Sequence, residues 1–193
     1  MQVQEQSKII GIHTLRCYDL TSPQGQKLEQ DIENLIGMRQ RGEITHLQCE
    51  ARYRMYMHSL RAFMTKEKVI KNLITTRGRS VIAQRLANTT TYTGIINYGA
   101  LGSSSTAVAN GDTQLTAEVF RKVVASASYT NNVAFIDFFY SKADTNGTYQ
   151  EFGTFIDGTG TANSGQIFTH ALTGGWTKTS SESMTVSCQY TIS

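Results

Sequence analysis

Val133–Tyr140 reads VAFIDFFY, and the placement of this stretch decides the fold. Successive side chains of a strand point to opposite faces. Val133, Phe135, Asp137 and Phe139 therefore share one face, and Ala134, Ile136, Phe138 and Tyr140 the other. A strand that is apolar on both faces is central to a layered structure, because each face needs a cover. Working outward, further short strands are expected at Ile95–Leu101, Val119–Tyr129, Asn132–Ser141, Tyr149–Asp157, Gly165–Leu172 and Met184–Ile192. Between them lie the turn clusters GSSSTAVANGDT, TNN, KADTNGT, DGTGTANSG and TGGWTKTSS. Asn146-Gly147 is a favoured hairpin pair, so a hairpin is expected from the 133–140 strand to Tyr149. Several short strands at this spacing indicate an antiparallel β-sandwich or an open barrel, and the sandwich is the expected class.

Composition agrees. From Ala87 onward, Thr (19), Ser (12), Gly (11) and Asn (7) supply 49 of 107 residues. Thr suits a pleated surface, and Gly and Asn suit turns. The chain is 193 residues long, 39% apolar and 17% charged, with a single proline. That is one domain, or one domain with an appendage, and enough apolar material for a core. No run of about 18 apolar residues exists to span a membrane. The opening MQVQEQSKII lacks a secretory pattern, so a cytoplasmic site of synthesis is expected. Asn88-Thr-Thr90 and Asn146-Gly-Thr148 fit the glycosylation acceptor pattern, which carries no meaning without secretion. Cys17, Cys49 and Cys188 are widely spaced and are expected as three reduced thiols.

The net charge of +3 divides unevenly. Up to Leu86, 14 Lys/Arg against 8 Asp/Glu give +6; from Ala87, 4 against 7 give −3. The basic part opens with Ser7–Leu20, β-branched and without a helical stripe, read as a strand. Thr21-Ser22-Pro23 supplies a hydroxyl cap followed by a proline suited to a first helical turn. Gln24–Met38 then carries Leu28, Ile32, Leu35 and Ile36 on one helical face. Ile44–Met64 fits two periods. Leu47, Cys49, Ala51, Tyr53, Met55 and Met57 alternate with polar residues as in a half-buried strand, yet Ile44, Leu47, Ala51, Met55 and His58 form a helical stripe. A long strand is favoured. Val69–Thr76 reads as a strand ending, and Arg77–Ala87 as a short helix capped by Ser80 or Thr76. The expected organisation is an N-terminal strand–helix–strand arm or insertion over residues 1–70, then a β-sandwich domain over 71–193 with the one short additional helix.

Four segments carry a resemblance. Asn72-Leu73-Ile74-Thr75, Asn97-Tyr98-Gly99-Ala100-Leu101-Gly102, Asp112-Thr113-Gln114-Leu115 and Glu118-Val119-Phe120-Arg121 together resemble a module of small structural proteins of tailed phages and prophages. Glu151–Thr159 (EFGTFIDGT) looks like a later strand of the same module. The likeness covers roughly 71–193, with Thr21–Met64 as an insertion. The chain departs from the pattern at Gly102-Ser-Ser-Ser-Thr106, where a second glycine is usual, and at Val108-Ala109, where Ala-Pro is common. The resemblance implies a virion component of the tail, baseplate, collar or fibre region, built into the particle after synthesis in the host cytoplasm.

The sequence offers little for chemistry. His13, His46, His58 and His170 lack ligand spacing, and no HExxH, GxSxG or GxxxxGK[ST] string occurs. Gly158-Thr-Gly160 follows a strand but precedes no helix that would hold a phosphate, so it is read as a turn. Asp144-Thr-Asn146-Gly147 begins like a calcium loop, but the acidic closing ligand is missing at Gly153. Asp137, Glu151 and Asp157 lie on neighbouring expected strands, where Asp137 and Asp157 as a glycosidase pair compete with a cross-strand Asp137–Arg121 ion pair. No catalytic group, cofactor or metal is expected.

Partners are expected instead. Tyr53, Met55, Met57, Phe63, Arg52 and Arg54 are the candidate assembly contacts, for other virion proteins and for copies of the chain in a symmetric ring or trimer. The competing reading packs these residues inside the monomer. Arg52, Arg54, Arg61, Lys66, Lys68, Lys71, Arg77 and Arg79 fall within 28 residues, but Glu50 and Glu67 interrupt them, which favours an acidic protein neighbour over nucleic acid. The alternatives are a host-surface saccharide-binding module using Trp176 as a platform, and a capsid decoration protein.

Overall fold

The structure is a computed structural model and describes residues 8–89 and 91–193. Ser7, the expected start of the first strand, and Thr90 of the Asn88-Thr-Thr90 string lie outside the described residues, as does most of the opening MQVQEQSKII.

Strand β1 (Ile9–Asp19) alternates: Gly11, His13, Leu15 and Cys17 are buried, while Ile12, Thr14 and Arg16 are half-exposed. It pairs antiparallel with the final strand β10 (Glu182–Ile192) from Ile9↔Ile192 to Asp19↔Glu182, and on its other side with β2 (Met64–Lys71). The first part of the chain thus contributes two strands to the sandwich itself. Between them the chain makes a helical excursion.

Helix α1 (Pro23–Gln40) starts as its sequence suggests. Ser22 caps it by accepting from the Gly25 N–H at 3.1 Å, with Pro23 in the first turn and Ile32, Leu35 and Ile36 buried. Helix α2 (His46–Leu60) replaces the long strand expected over 44–64. Thr45 and Gln48 form a reciprocal capping box: Gln48 N–H donates to Thr45 Oγ1 at 3.3 Å and Thr45 N–H donates to Gln48 Oε1 at 2.9 Å. The alternation in 47–57 is coincidental. Cys49, Tyr53 and Leu60 point inward at helical spacing, whereas Leu47, Ala51 and Met55 point outward. Residues rich in Met, Arg, Gln and Leu favour the helix once a cap nucleates it. Thr45→Ala is expected to lower the unfolding free energy by about 1 kcal/mol, measured by urea titration. No loss would show that tertiary packing alone holds α2.

The remaining elements are β3 (Leu73–Ile74), α3 (Thr76–Leu86), β4 (Ile96–Gly102), β5 (Glu118–Val123), β6 (Ser126–Thr130), β7 (Val133–Tyr140), β8 (Gly147–Ile156) and β9 (Gln166–Lys178). Two antiparallel five-stranded sheets result, in the orders β2-β1-β10-β7-β6 and β3-β9-β8-β4-β5. They are called the first and second sheet below. Leu15, Phe138, Phe152, Val186 and Tyr190 are among the side chains that fill the space between them. The other face of the first sheet is capped by α1 and α2, whose Ile32, Leu35, Cys49 and Tyr53 bury Tyr18, Leu20 and Phe139. That explains VAFIDFFY: Phe138 serves the inter-sheet core and Phe139 the helical one.

Four further expectations give way. Val119–Tyr129 is two strands on different sheets, divided at Val124-Ala125, where Val124 N–H donates to Asn97 O and Ala125 N–H to Asp137 O. The β7–β8 link is no hairpin, since the two strands belong to opposite sheets; Asp144 caps the link by accepting from Ser141 N–H at 2.8 Å. β9 continues through Gly174-Gly175, read as a turn, because both glycines adopt positive φ (67° and 80°) and let the strand bend while it pairs onward to Lys178. The cap of α3 is Thr75, not Ser80 or Thr76: it accepts from Gly78 N–H at 3.0 Å and donates to Ile167 O at 2.7 Å, fastening the helix to β9.

Candidate assembly surface and polar clusters

The six candidate contacts fall on α2 and the single 3-10 turn that follows it (Arg61–Phe63), and they divide. Tyr53 is only 1% exposed, inside the core beneath the helices. Met57 and Phe63 are half-buried against that core. Packing within the monomer accounts for Tyr53 fully and for Met57 and Phe63 in part. Met55 (70% exposed), Arg52 and Arg54 face solvent. Arg54 reaches back one turn to Glu50 at 2.5 Å, an exposed pair worth a few tenths of a kcal/mol. The structure adds Leu47, 73% exposed, and exposed Ala51. Leu47, Ala51 and Met55 form an i, i+4, i+8 stripe on the solvent side of α2. β2 is an edge strand with exposed Met64 and Val69.

The basic run is not a continuous cationic surface. Lys66 pairs with Glu182 at 3.3 Å and lies over the Trp176 ring, and Lys68 donates to Thr173 O. Arg77 donates to Gln166, and Arg79 to Ile74 O and Asn110. Trp176 is itself buried, with its Nε1–H directed at Met184 Sδ, so it offers no aromatic platform. Cys17, Cys49 and Cys188 are free and buried. Burial pushes the Cys17 thiol up to about 12 and raises the other two as well, which keeps all three unreactive.

The carboxylates also part company. Asp137 lies on the outer face of the first sheet, away from Glu151 on the second. Arg121 pairs with Glu118 at 2.6 Å, not with Asp137. That pair is buried. Arg121 also lies 4.6 Å from the Phe155 ring centroid and donates to Thr159 O and Ser164 O at 3.1 Å. It thereby anchors the 157–165 loop that contains Gly158-Thr-Gly160. Asp157 accepts from Thr93 N–H at 2.8 Å. Asp144, at the calcium-like string, pairs with Lys122 Nζ at 2.6 Å.

One cluster was invisible in the sequence. His170 is buried with Nδ1 2.6 Å from Asp112 Oδ2 and Nε2 2.8 Å from Glu151 Oε2. Glu151 also accepts the N–H groups of Thr116 (3.0 Å) and Ala117 (2.7 Å). The loop between β4 and β5 is thus pinned across the outer face of the second sheet, where Leu115 packs on Ala100, Phe155 and Ile167. A Cβ at Gly102 would come 2.4 Å from Glu151 Oε1, so only glycine leaves room for that carboxylate. Asp112, Leu115, Glu118, Arg121 and Gly102 all do structural work on this one face. Glu151 lies in a strand that also carries Thr148, Gln150 and Thr154, so its charge does not stand out, and its partner His170 is 19 residues away. Among the described residues, no group of three His, Cys, Asp or Glu is arranged to hold a metal.

A cleft of about 550 Å³ lies between α2 and the outer face of the first sheet. Asp137 stands on its floor, and burial raises its carboxyl above the ordinary range against the opposing pull of Ser187, Arg16 and Arg54. No protein-family model, no curated protein and no solved structure matches this chain.

Proposed function

We propose that this protein is a non-enzymatic structural component of a tailed-phage particle, acting through protein–protein assembly in the tail, baseplate or collar region. The observation that carries the reading is the outward apolar stripe Leu47–Ala51–Met55 on a helix inserted between two strands of the sandwich. The excursion covers one sheet face with its inner side and offers a second hydrophobic side to a neighbour. Exposed apolar stripes of this kind mark interaction sites. The arginines beside the stripe, Arg52 and Arg54, would choose an acidic partner surface and orient it. The resemblance to phage structural proteins supplies the biological setting, and its signature residues form the frame that holds the second sheet together.

Two measurements test this. Mass spectrometry of particles purified from the phage that encodes the chain should find it at a fixed stoichiometry; its absence overturns the virion reading. Light scattering of the purified protein should show an oligomer that the double variant Leu47→Asp/Met55→Asp reduces to a lower mass at an unchanged unfolding midpoint. Equal masses for both proteins would remove the α2 stripe as the contact between copies.

A further inference from the structure

The cleft under α2 is a second feature, on the sheet-facing side of the helix, and shares Arg54 with the outward one. Its floor is a row across three strands, Thr14↔Ser187↔Asp137, with Gln189 and Phe135 in the next row. A helix packed flat on a sheet would meet apolar residues there, as α1 and α2 do at Phe139 and Leu20. Here the floor is hydroxyl, amide and carboxylate, and the helix stands off it. Arg54, Met57, His58 and Arg61 form the roof, and Arg16 stands at the side. Arg16 and Arg54 each hold a surface carboxylate at 2.5 Å, Glu67 and Glu50 respectively. Arg61 makes no ion pair among the described residues. The hydroxyl of Tyr53, at the back, is buried without a hydrogen-bond partner. An orphaned buried hydroxyl destabilises a fold, and such groups call for an explanation. A ligand that accepts from it is one.

We propose that this cleft binds a hydroxylated carboxylic acid of about the size of a hexuronate, with its carboxylate on Arg54 and Arg61 and its hydroxyls on Tyr53, Asp137 and Ser187. Guanidinium groups are the natural partners of a carboxylate. Asp137 decides the rest: a lone carboxylate on the floor repels a simple anion but accepts hydrogen bonds from vicinal hydroxyls. An acidic peptide side chain brings no hydroxyl to it. Phe135 and Met57 offer apolar contact to the C–H face of such a ring, and a few polar groups converging in a partly apolar cleft is the usual form of a small-molecule site.

Isothermal titration of the full chain tests the proposal with D-glucuronate, D-glucose, acetate, trigalacturonate and hexaglutamate. Glucuronate should bind at least about tenfold more tightly than glucose, which lacks the carboxylate, or acetate, which lacks the hydroxyls. Arg61→Ala should weaken glucuronate about tenfold, and Tyr53→Phe about fivefold, the loss expected for one hydrogen bond. Tyr53→Phe removes only the orphaned hydroxyl, so its unfolding midpoint should stay level or rise, and lost binding cannot be blamed on misfolding. Trigalacturonate binding more tightly than the monomer assigns the site to a glycan chain; equal affinity assigns it to a free acid. The proposal is overturned if glucuronate gives no binding, or binds no better than acetate. It is also overturned if both variants bind as the wild type does, or if hexaglutamate outcompetes glucuronate, which would make the cleft a peptide site.

Discussion

Glu151→Ala is expected to lower the unfolding free energy by about 3–5 kcal/mol, the range for removing one partner from a buried charged network. The carboxylate is 0% exposed and satisfies three donors at once: Thr116 N–H, Ala117 N–H and His170 Nε2. Removing it strands two backbone donors and leaves His170 with Asp112 alone, while opening a void beside Gly102. Thr116 is exposed and Ala117 half-buried, so each stranded N–H costs about 1 kcal/mol, the low end of the range, and the rest of the loss comes from buried His170 and the void. Asp112→Ala should cost less, about 1 kcal/mol, because Asp112 is partly exposed and water can replace it. The loss should be local before it is global. In hydrogen exchange, the Thr116 and Ala117 amides should become fast in Glu151→Ala while the β7 and β10 amides stay protected. If the variant unfolds within about 0.5 kcal/mol of wild type, the cluster does not hold the loop. If all amides accelerate together, the loop is part of the global folding unit and not a separately released one.

The sandwich was legible from particular residues. VAFIDFFY demanded a cover on each face, and the Thr-, Ser- and Gly-rich stretch around it demanded short strands. The cap at Ser22-Pro23 announced α1 because both residues act locally. Where the structure departs from the sequence reading, the deciding physics is non-local. For α2, a period of two and a period of 3.6 both fitted residues 47–57, and only the Thr45–Gln48 box together with the inward packing of Cys49, Tyr53 and Leu60 separates them. For Val119–Tyr129, strands of two different sheets share one period, so the change of sheet at Val124-Ala125 leaves no local trace. The same argument disposes of the β7–β8 hairpin: an Asn-Gly pair favours a turn but does not say whether the next strand pairs or crosses over. At the candidate contacts, residue type alone could not distinguish outward Met55 from inward Tyr53 until the period was settled. The His170 cluster needed three strands and a loop in register before Asp112 and Glu151 could flank one imidazole.

Acidification should destabilise this protein through one residue above all, His13. It is 0% exposed in the inter-sheet core, edge-on to Phe152 at 5.1 Å, with Asn72, Thr169 and Tyr190 as its polar neighbours and no carboxylate beside it. Burial therefore pushes its pKa down from 6.5 to about 3. The unfolded chain then binds one more proton than the native state between those two values. Stability rises with pH across that window, so it is intact above pH 6.5 and falls as the pH drops from there towards 3. At 1.36 kcal/mol per unit, the loss attributable to His13 reaches about 4 kcal/mol by pH 3.5. Asp137, raised by its own burial, works in the opposite direction, since protonation relieves its desolvation. The decisive quantity is accordingly a difference between proteins. In urea titrations at pH 7, 5.5 and 4, His13→Asn should lose markedly less stability on acidification than the wild type, whatever its stability at pH 7. Parallel pH profiles for the two proteins would show that His13 is not the titrating group. The residue also bears on assembly. A sandwich core that holds a neutral histidine is firm at neutral pH and loosens in acid, so low-pH dissociation of any oligomer should follow the His13 profile and shift with His13→Asn.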